Sequence, residues 1–390
     1  MTEEIKPTPA FELYSTERSR DPHKQFAQLR QAGGVAHADE LGGYWILTRY
    51  RDVVAAAQNP GVFSSRYITI PRDVGGESLE ERPPITLDPP RHQGFRRTLI
   101  AGFSPGQANK LEPEIRKLAR NALSGLVDRG GCDAAEDYAK KIPVGVMCTL
   151  MGVPMEMERD FFRWANDIFE SGDQDRAAAA AVEIGAFFDE AISRRKEMPR
   201  EDLISVLSEA EYNGMRLSHK ELVGALTLVL IAGLDTVWSV LSNVLLYLGQ
   251  NRQVRRQLIE NPDLLPTAVE EFLRYFAPAS LGRVTTEAVT VGGVKLDDDA
   301  TVLLAFPSAN RDAEQFDRAD EVVLDRSNNS HLAFGVGAHR CLGMHIARLE
   351  LTVAISEWLR AIPDYEIVDP EKVEYSIGQV WGPRSVPVRF

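Results

Sequence analysis

Cysteine is scarce in this 390-residue chain, which holds three: Cys132, Cys148 and Cys341. An odd number, too widely spaced for a CxxC pair, implies neither a disulfide framework nor a cysteine-paired metal site. Basic charge is also in short supply. Lysine and arginine number 44 against 57 aspartates and glutamates, a net charge of −13, and no basic tail offsets it. A nucleic-acid surface or a surface for anionic membrane is therefore not expected, and a small molecule or a protein is the expected partner. Repeats, linkers and low-complexity tracts are absent. The opening residues, MTEEIKPTPAFELYSTERSRDPH, lack the apolar core of a signal peptide or anchor, so a reducing cytoplasm is the expected location. One run approaches the length of a membrane span, Leu222 to Leu248, and Asp235 in its middle favours a buried core helix instead.

What is present is ordinary globular material, 44% hydrophobic and 26% charged, enough to bury a large core. Asp21 and Pro22 open a first helix to residue 31, and VAHADELGGYWILTRY alternates as a hairpin about Gly42 and Gly43. Tyr50 to Gln58 is a short helix stopped by Asn59-Pro60. Gly61 to Pro90 has no sustained period and is expected to be a long, functional loop. From His92 to about Lys196 the pattern is nearly all helix, with breaks at Ser104-Pro105-Gly106, Gly130-Gly131, Pro154 and Ser171-Gly172-Asp173. Ser218 and Glu221 form a capping box for the long apolar helix. After Pro278 the period switches to two, giving short strands about Gly292-Gly293; a meander, a last long helix and a C-terminal strand pair follow. The whole, residues 1–390, reads as one domain, mainly α with small β-sheets.

Four stretches carry chemistry. Ser330 to Gly343 (SHLAFGVGAHRCLG) places Cys341 between turn-permitting glycines and the start of a helix, near Arg340. There the helix dipole and the arginine favour a thiolate, as a metal ligand requires; a buried structural cysteine is the plain alternative. Glu271 and Arg274 stand at i, i+3 on one helix, where a solvated surface pair is the ordinary outcome. AGLDTV, Ala232 to Val237, sets Gly, Asp and Thr inside an apolar helix, either as a packing notch with a back-bonded threonine or as a locally opened helix. LDPPRHQGFRR, with His92 and Arg96, closes the long loop.

Phe334, Gly335, Gly337, His339, Cys341 and Gly343 match the F-x-x-G-x-[HR]-x-C-x-G signature of the cytochrome P450 superfamily, haem-thiolate monooxygenases, and the chain resembles the soluble bacterial class that includes camphor hydroxylase. The resemblance implies a triangular helical fold holding haem b between the Asp235 helix and the Cys341 helix, with Cys341 as the iron ligand. It implies that Glu271 and Arg274 are buried and brace the cysteine loop, with Arg318 or Arg326 as third partner. It implies room for dioxygen at Ala232 and Gly233, proton relay by Asp235 and Thr236, and propionate binding by His92, Arg96, Arg283 and His339, with Phe334, Gly335 and Gly343 shaping the loop. Val237 departs from the family's hydroxyl residue at that place.

The implied activity is insertion of one atom of O2 into a small, mostly apolar organic substrate by hydroxylation, epoxidation or dealkylation, with electrons from a ferredoxin and its NAD(P)H-dependent reductase. A peroxide-driven peroxygenase of the same fold would normally lack the acid and threonine present here, and a haem sensor would need no proton relay. Tyr67, Ile68, Leu228, Ile231, Ala232, Ala279, Leu281 and Val380 are the expected substrate wall, and Arg66 and Arg72 are potential carboxylate anchors. Arg91, Arg96, Arg97 and Arg340 are the expected basic patch for an acidic ferredoxin.

Overall fold

The computed structural model describes residues 11–72, 81–169, 171 and 173–390. Its axis is the helix His219–Gln250. Ser218 Oγ accepts from the Glu221 amide while the Glu221 carboxylate accepts from the Ser218 amide, the reciprocal cap expected from the sequence. This is the one described helix long and apolar enough to cross a membrane, and most of that apolar stretch is buried inside the protein. It packs against the helices Lys141–Met151, Gln174–Glu197 and Met344–Ala361 and the π-helical turn Ala134–Ala139. Two of its glycines allow close approach. A Cβ at Gly224 would stand 2.3 Å from the Glu81 carbonyl oxygen, and one at Gly233 would stand 2.6 Å from Met147 Sδ.

Further helices run Pro22–Gln31, Tyr50–Ala57, Arg91–Ile100, Glu112–Leu123, Glu158–Phe169, Arg252–Glu260 and Leu265–Tyr275. The main sheet has the strand order Val35–Ala38, Tyr44–Leu47, Thr301–Leu304, Leu281–Thr285, Phe63–Ser64. The first two strands form the expected hairpin, with Leu41, Gly42 and Gly43 all at positive φ. Glu366–Ile367 pairs with Pro387–Arg389 as the C-terminal strand pair, and the latter also pairs with Gly131–Asp133. That third strand was not legible. Gly130-Gly131 reads as a helix break, and its partner lies more than 250 residues away.

Most core side chains form one helical cluster around Trp358, Tyr138 and Phe272, with a smaller one beneath the sheet and another under the first helices. Tyr138 is fully buried because its hydroxyl donates to the Ala354 carbonyl at 2.6 Å, joining the turn after Asp133 to the last long helix. One local expectation is not met. The helix containing AGLDTV is continuous, with no opening, and the Thr236 hydroxyl donates to the Ala232 carbonyl at 2.9 Å. The threonine's own back-bond and the Gly233 notch against Met147 accommodate the poor helix formers within regular helix.

Candidate functional site

Cys341 lies just before the helix Met344–Ala361, and its amide donates to the Phe334 carbonyl at 2.7 Å, closing the loop. Gly335 and Gly337 both have positive φ, and a Cβ at Gly337 would stand 2.8 Å from the Ala57 carbonyl oxygen, so the loop seats on the end of helix Tyr50–Ala57. A Cβ at Gly343 would meet no protein atom within 4 Å, so protein packing does not select that glycine. Desolvation raises the Cys341 thiol pKa, opposed by the Gly343 backbone amide and by the charges of Arg96, Arg348 and Arg340. A cationic surrounding with an amide aimed at sulfur is suited to a metal-bound thiolate.

Glu271 and Arg274 are both 0% exposed, which rules out the ordinary surface pair. Burying an ion pair is tolerable only if every donor is satisfied. Here the five N–H groups of Arg274 go to the two Glu271 oxygens and to the carbonyls of Asn310, Ala319 and Glu321, all at 2.7–2.8 Å. The third partner is Arg326, whose Nε donates to Glu271 Oε2 at 2.9 Å; Arg318 is exposed and faces Asp317 and Glu321 instead. The Val323 amide and Asn329 Nδ2 complete the carboxylate's shell. The meander leading into Ser330 is thus tied to one buried carboxylate.

A second brace was not anticipated. Glu270, next in sequence, accepts from Arg348 at 2.6 and 2.8 Å and contacts His331 Nε2 at 3.2 Å. The Glu270 carboxyl pays a desolvation penalty, but His331 and Arg348 outweigh it and hold its pKa at about 2. Arg348 also stacks over Phe334, 4.6 Å from the ring centroid. The sequence signal was present, since His331 stands in the loop and Arg348 one helical turn beyond Met344, but no motif pointed to it.

Beside the loop lies a basic cluster. His92 is 1% exposed, and among the described residues neither ring nitrogen has a hydrogen-bond partner; buried His339 Nε2 has none among them either. The two rings lie 4.1 Å apart. Arg283, 3% exposed, donates only to its neighbouring Gly282 carbonyl, and Arg96 donates to the Arg340 carbonyl. Among the described residues no carboxylate pairs with any of the four; Asp88, whose charge acts on Arg283, is bonded to Ser64 and Ser65. Burial, then Arg283, His92 and Arg96, push the His339 imidazole down to about 2, and burial lowers His92 and Arg283 as well. Two arginines and two imidazoles converging without a carboxylate partner among the described residues fit a dianionic ligand such as haem's two propionates. The helix Arg91–Ile100 that carries His92 and Arg96 is held by Tyr212, whose ring edge lies where a Cβ of Gly94 would be, 1.8 Å from Cε2.

On the long helix, Leu228, Ala232 and Thr236 recur every four residues and share the accessible face, while Ile231 is buried. Gly233 is turned toward Met147, so its notch serves helix packing rather than the open face. Asp235 is 5% exposed and its Oδ1 accepts from Arg384 at 2.5 Å. Arg384 also donates to Ser239 Oγ and stacks on Trp238, 4.2 Å from the centroid. This pairing spans 149 residues and was not foreseen.

The expected wall residues come together from three segments. Ala279 and Val380 are bridge partners, and the Gly282 amide donates to the Ile68 carbonyl at 2.8 Å. Tyr67 and Leu281 flank them, both partly buried. Arg66 and Arg72 are not available as carboxylate anchors: both bind Asp299, Arg72 also binds Thr301, and they stack at 5.8 and 5.7 Å over Tyr67. Arg91 likewise leaves the expected basic patch, being paired with Glu81 and Glu221 at 2.9 and 3.0 Å. Arg97 and Arg340 remain exposed and without acidic partners.

A family model described as cytochrome P450 matches residues 147–362. The vitamin D(3) 25-hydroxylase of Pseudonocardia autotrophica is 35% identical over 363 residues, 92% of this chain and 90% of the relative. The cyclomarin C epoxidase CymV of Salinispora arenicola is 34% identical, with 97% and 98% covered. Among solved structures, CYP109E1 from Bacillus megaterium, in complex with testosterone, superposes with a TM-score of 0.87 at 28% identity over 96% of this chain and 99% of that one. With the cysteine loop, its buried braces and the basic cluster in place, these likenesses make the chain a cytochrome P450 monooxygenase, a haem b enzyme of the bacterial type.

Proposed function

We propose that residues 1–390 form one haem-thiolate unit that hydroxylates or epoxidises a mostly apolar organic substrate, drawing electrons from a ferredoxin and its reductase in the cytoplasm. The observation that carries the site assignment is the placement of Cys341 just before helix Met344–Ala361, in the same loop as His339, whose Nε2, like both ring nitrogens of His92, has no hydrogen-bond partner among the described residues. Cys341 would ligate the haem iron; His92, Arg96, Arg283 and His339 would hold the propionates; Phe334, Gly335 and Gly343 shape the cysteine loop. The bound haem supplies the oxidising chemistry on O2.

The protein's own groups handle protons and exclude water. Thr236 holds a proton on the open face of the long helix, its hydroxyl donating a hydrogen bond to the Ala232 carbonyl. Asp235, one residue earlier, is oriented by its ion pair with Arg384 and serves the relay by taking up a proton from solvent and passing it on toward Thr236. Tyr67, Ile68, Leu228, Ile231, Ala279, Leu281 and Val380 supply apolar walls; a relative named for vitamin D(3) and a neighbour solved with testosterone support a polycyclic, largely hydrocarbon substrate. Arg340, beside Cys341 in sequence, and Arg97, on the helix that carries Arg96, both exposed on a chain of net charge −13, are the docking contacts for an acidic ferredoxin.

The test is the absorption spectrum of the ferrous carbonyl complex. The unsubstituted protein should show the red-shifted Soret band of thiolate ligation and Cys341→Ser should lose it; retention of that band in Cys341→Ser would overturn the assignment.

A further inference from the structure

The three segments of the substrate wall meet at one side chain to which no role has been given. Gln379 follows Gly378, whose φ of +90 turns the chain inward, and the Gly378 carbonyl is fixed by the buried guanidinium of Arg18 at 3.0 Å. The Gln379 amide commits both of its donors and one acceptor lone pair to backbone. Its Oε1 accepts from the Ile70 amide at 2.8 Å, and its Nε2 donates to the Ile68 carbonyl at 2.9 Å and the Ser280 carbonyl at 3.0 Å. The Ser280 amide donates back to the Gln379 carbonyl at 2.8 Å, and the Trp381 amide donates to the Pro278 carbonyl at 2.8 Å. A Cβ at Gly282 would stand 3.0 Å from Ile68 backbone atoms, so the first two segments also touch directly.

We infer that Gln379 is a positioning residue that locks residues 67–70, 279–282 and 378–381 into one rigid wall, and so sets the enzyme's preference for rigid over flexible apolar substrates. The inference rests on the substrate-wall reading above. Two physical consequences support it. With its three hydrogen bonds made to backbone, the amide offers no donor to a ligand, so the wall is built mainly from the apolar side chains of Ile68, Ala279, Leu281 and Val380 and the ring of Tyr67. A wall ordered before binding also charges no ordering cost to a ligand that matches its shape, whereas a flexible ligand still loses its own rotamers.

The experiment uses haem-loaded protein, with Gln379→Met removing all three bonds at similar volume. Gln379→Glu, which keeps the shape and replaces the two donors by acceptors, carries the same test should the first variant fail to load haem. Camphor as a rigid probe and 1-decanol as a flexible one are titrated by the spin-state shift, and exchange of the Ile70 amide is followed separately. The unsubstituted protein should bind camphor more tightly than decanol. The variants should lose about tenfold for camphor, as expected for about 1.4 kcal/mol of lost preorganisation, and about twofold or less for decanol. Ile70 exchange should quicken about tenfold. An unchanged affinity ratio with unchanged Ile70 exchange overturns the role of Gln379. Failure of both probes to shift the unsubstituted protein overturns the substrate-wall reading beneath it.

Discussion

Two buried glutamates on the helix Met344–Ala361 make a controlled comparison. Glu350 and Glu357 are each 2% exposed and lie two turns apart. Glu357 is desolvated but gathers Arg120, Arg360 and Arg116 at 2.6–3.1 Å, which hold its pKa at about 2. Glu350 has no hydrogen-bond partner on Oε2, and burial alone pushes it up to about 8. An unfolded glutamate ionises near 4.5, so at neutral pH folding must protonate Glu350. At pH 7 that costs about 3 kcal/mol, from roughly 1.36 kcal/mol per pKa unit over about 2.5 units. The sign follows from the raised folded value: the penalty is absent below about pH 4.5, grows as pH rises, and levels off above about 8. Glu350→Gln cannot ionise and should therefore stabilise the protein at pH 7 by up to about 3 kcal/mol, less about 1 kcal/mol for an unsatisfied amide. The gain should nearly vanish at pH 5. Urea unfolding of the holoprotein at pH 5, 6, 7 and 8, followed by tryptophan fluorescence, gives the profile. A gain independent of pH, or one that grows toward acid, refutes the reasoning. Glu357→Gln should show the opposite pattern, destabilising above about pH 5 and converging with the parent as pH falls toward 2.

Other outcomes follow from the geometry. Thr236→Ala should retain substrate binding but uncouple oxygen consumption from product, measured as hydrogen peroxide released per product formed; unchanged coupling would count against the relay. Arg326→Ala leaves Glu271 with one guanidinium in a fully buried site and should cost on the order of 3 kcal/mol in urea unfolding, whereas Arg318→Ala should change stability by less than about 0.5 kcal/mol. Arg97→Glu with Arg340→Glu should lower ferredoxin-driven turnover about tenfold at low salt while sparing the spin-state response to substrate. Arg91→Glu should instead lower stability, because it repels Glu81 and Glu221.

The cysteine loop and the ExxR pair were legible in the sequence because each is a local arrangement: ten consecutive residues, or two side chains one helical turn apart. The helical pattern from His92, the Ser218 cap and the hairpin at Gly42-Gly43 were legible for the same reason. What stayed hidden depends on segments distant in the chain. Arg318 and Arg326 stand in a meander without period, so only tertiary packing distinguishes the braced arginine from the solvated one. Arg91 has the composition of a docking residue, but Glu221 lies 130 positions away and neutralises it. The opening expected in AGLDTV did not appear because Met147, from another helix, fills the Gly233 notch. Glu350 looked like one more charge in an amphipathic run, and only the burial of that helix face makes it a titrating group near neutrality.

The Arg274 guanidinium has a bearing on protein engineering. With all five donors engaged across residues 271–321, and Glu271 engaged as far as Asn329, the helix Leu265–Tyr275 and the meander behave as a single exchangeable cassette. A chimera with a relative will preserve the haem loop only if its crossovers fall before Leu265 and after Asn329. A crossover between them joins a hub from one parent to carbonyls spaced by the other.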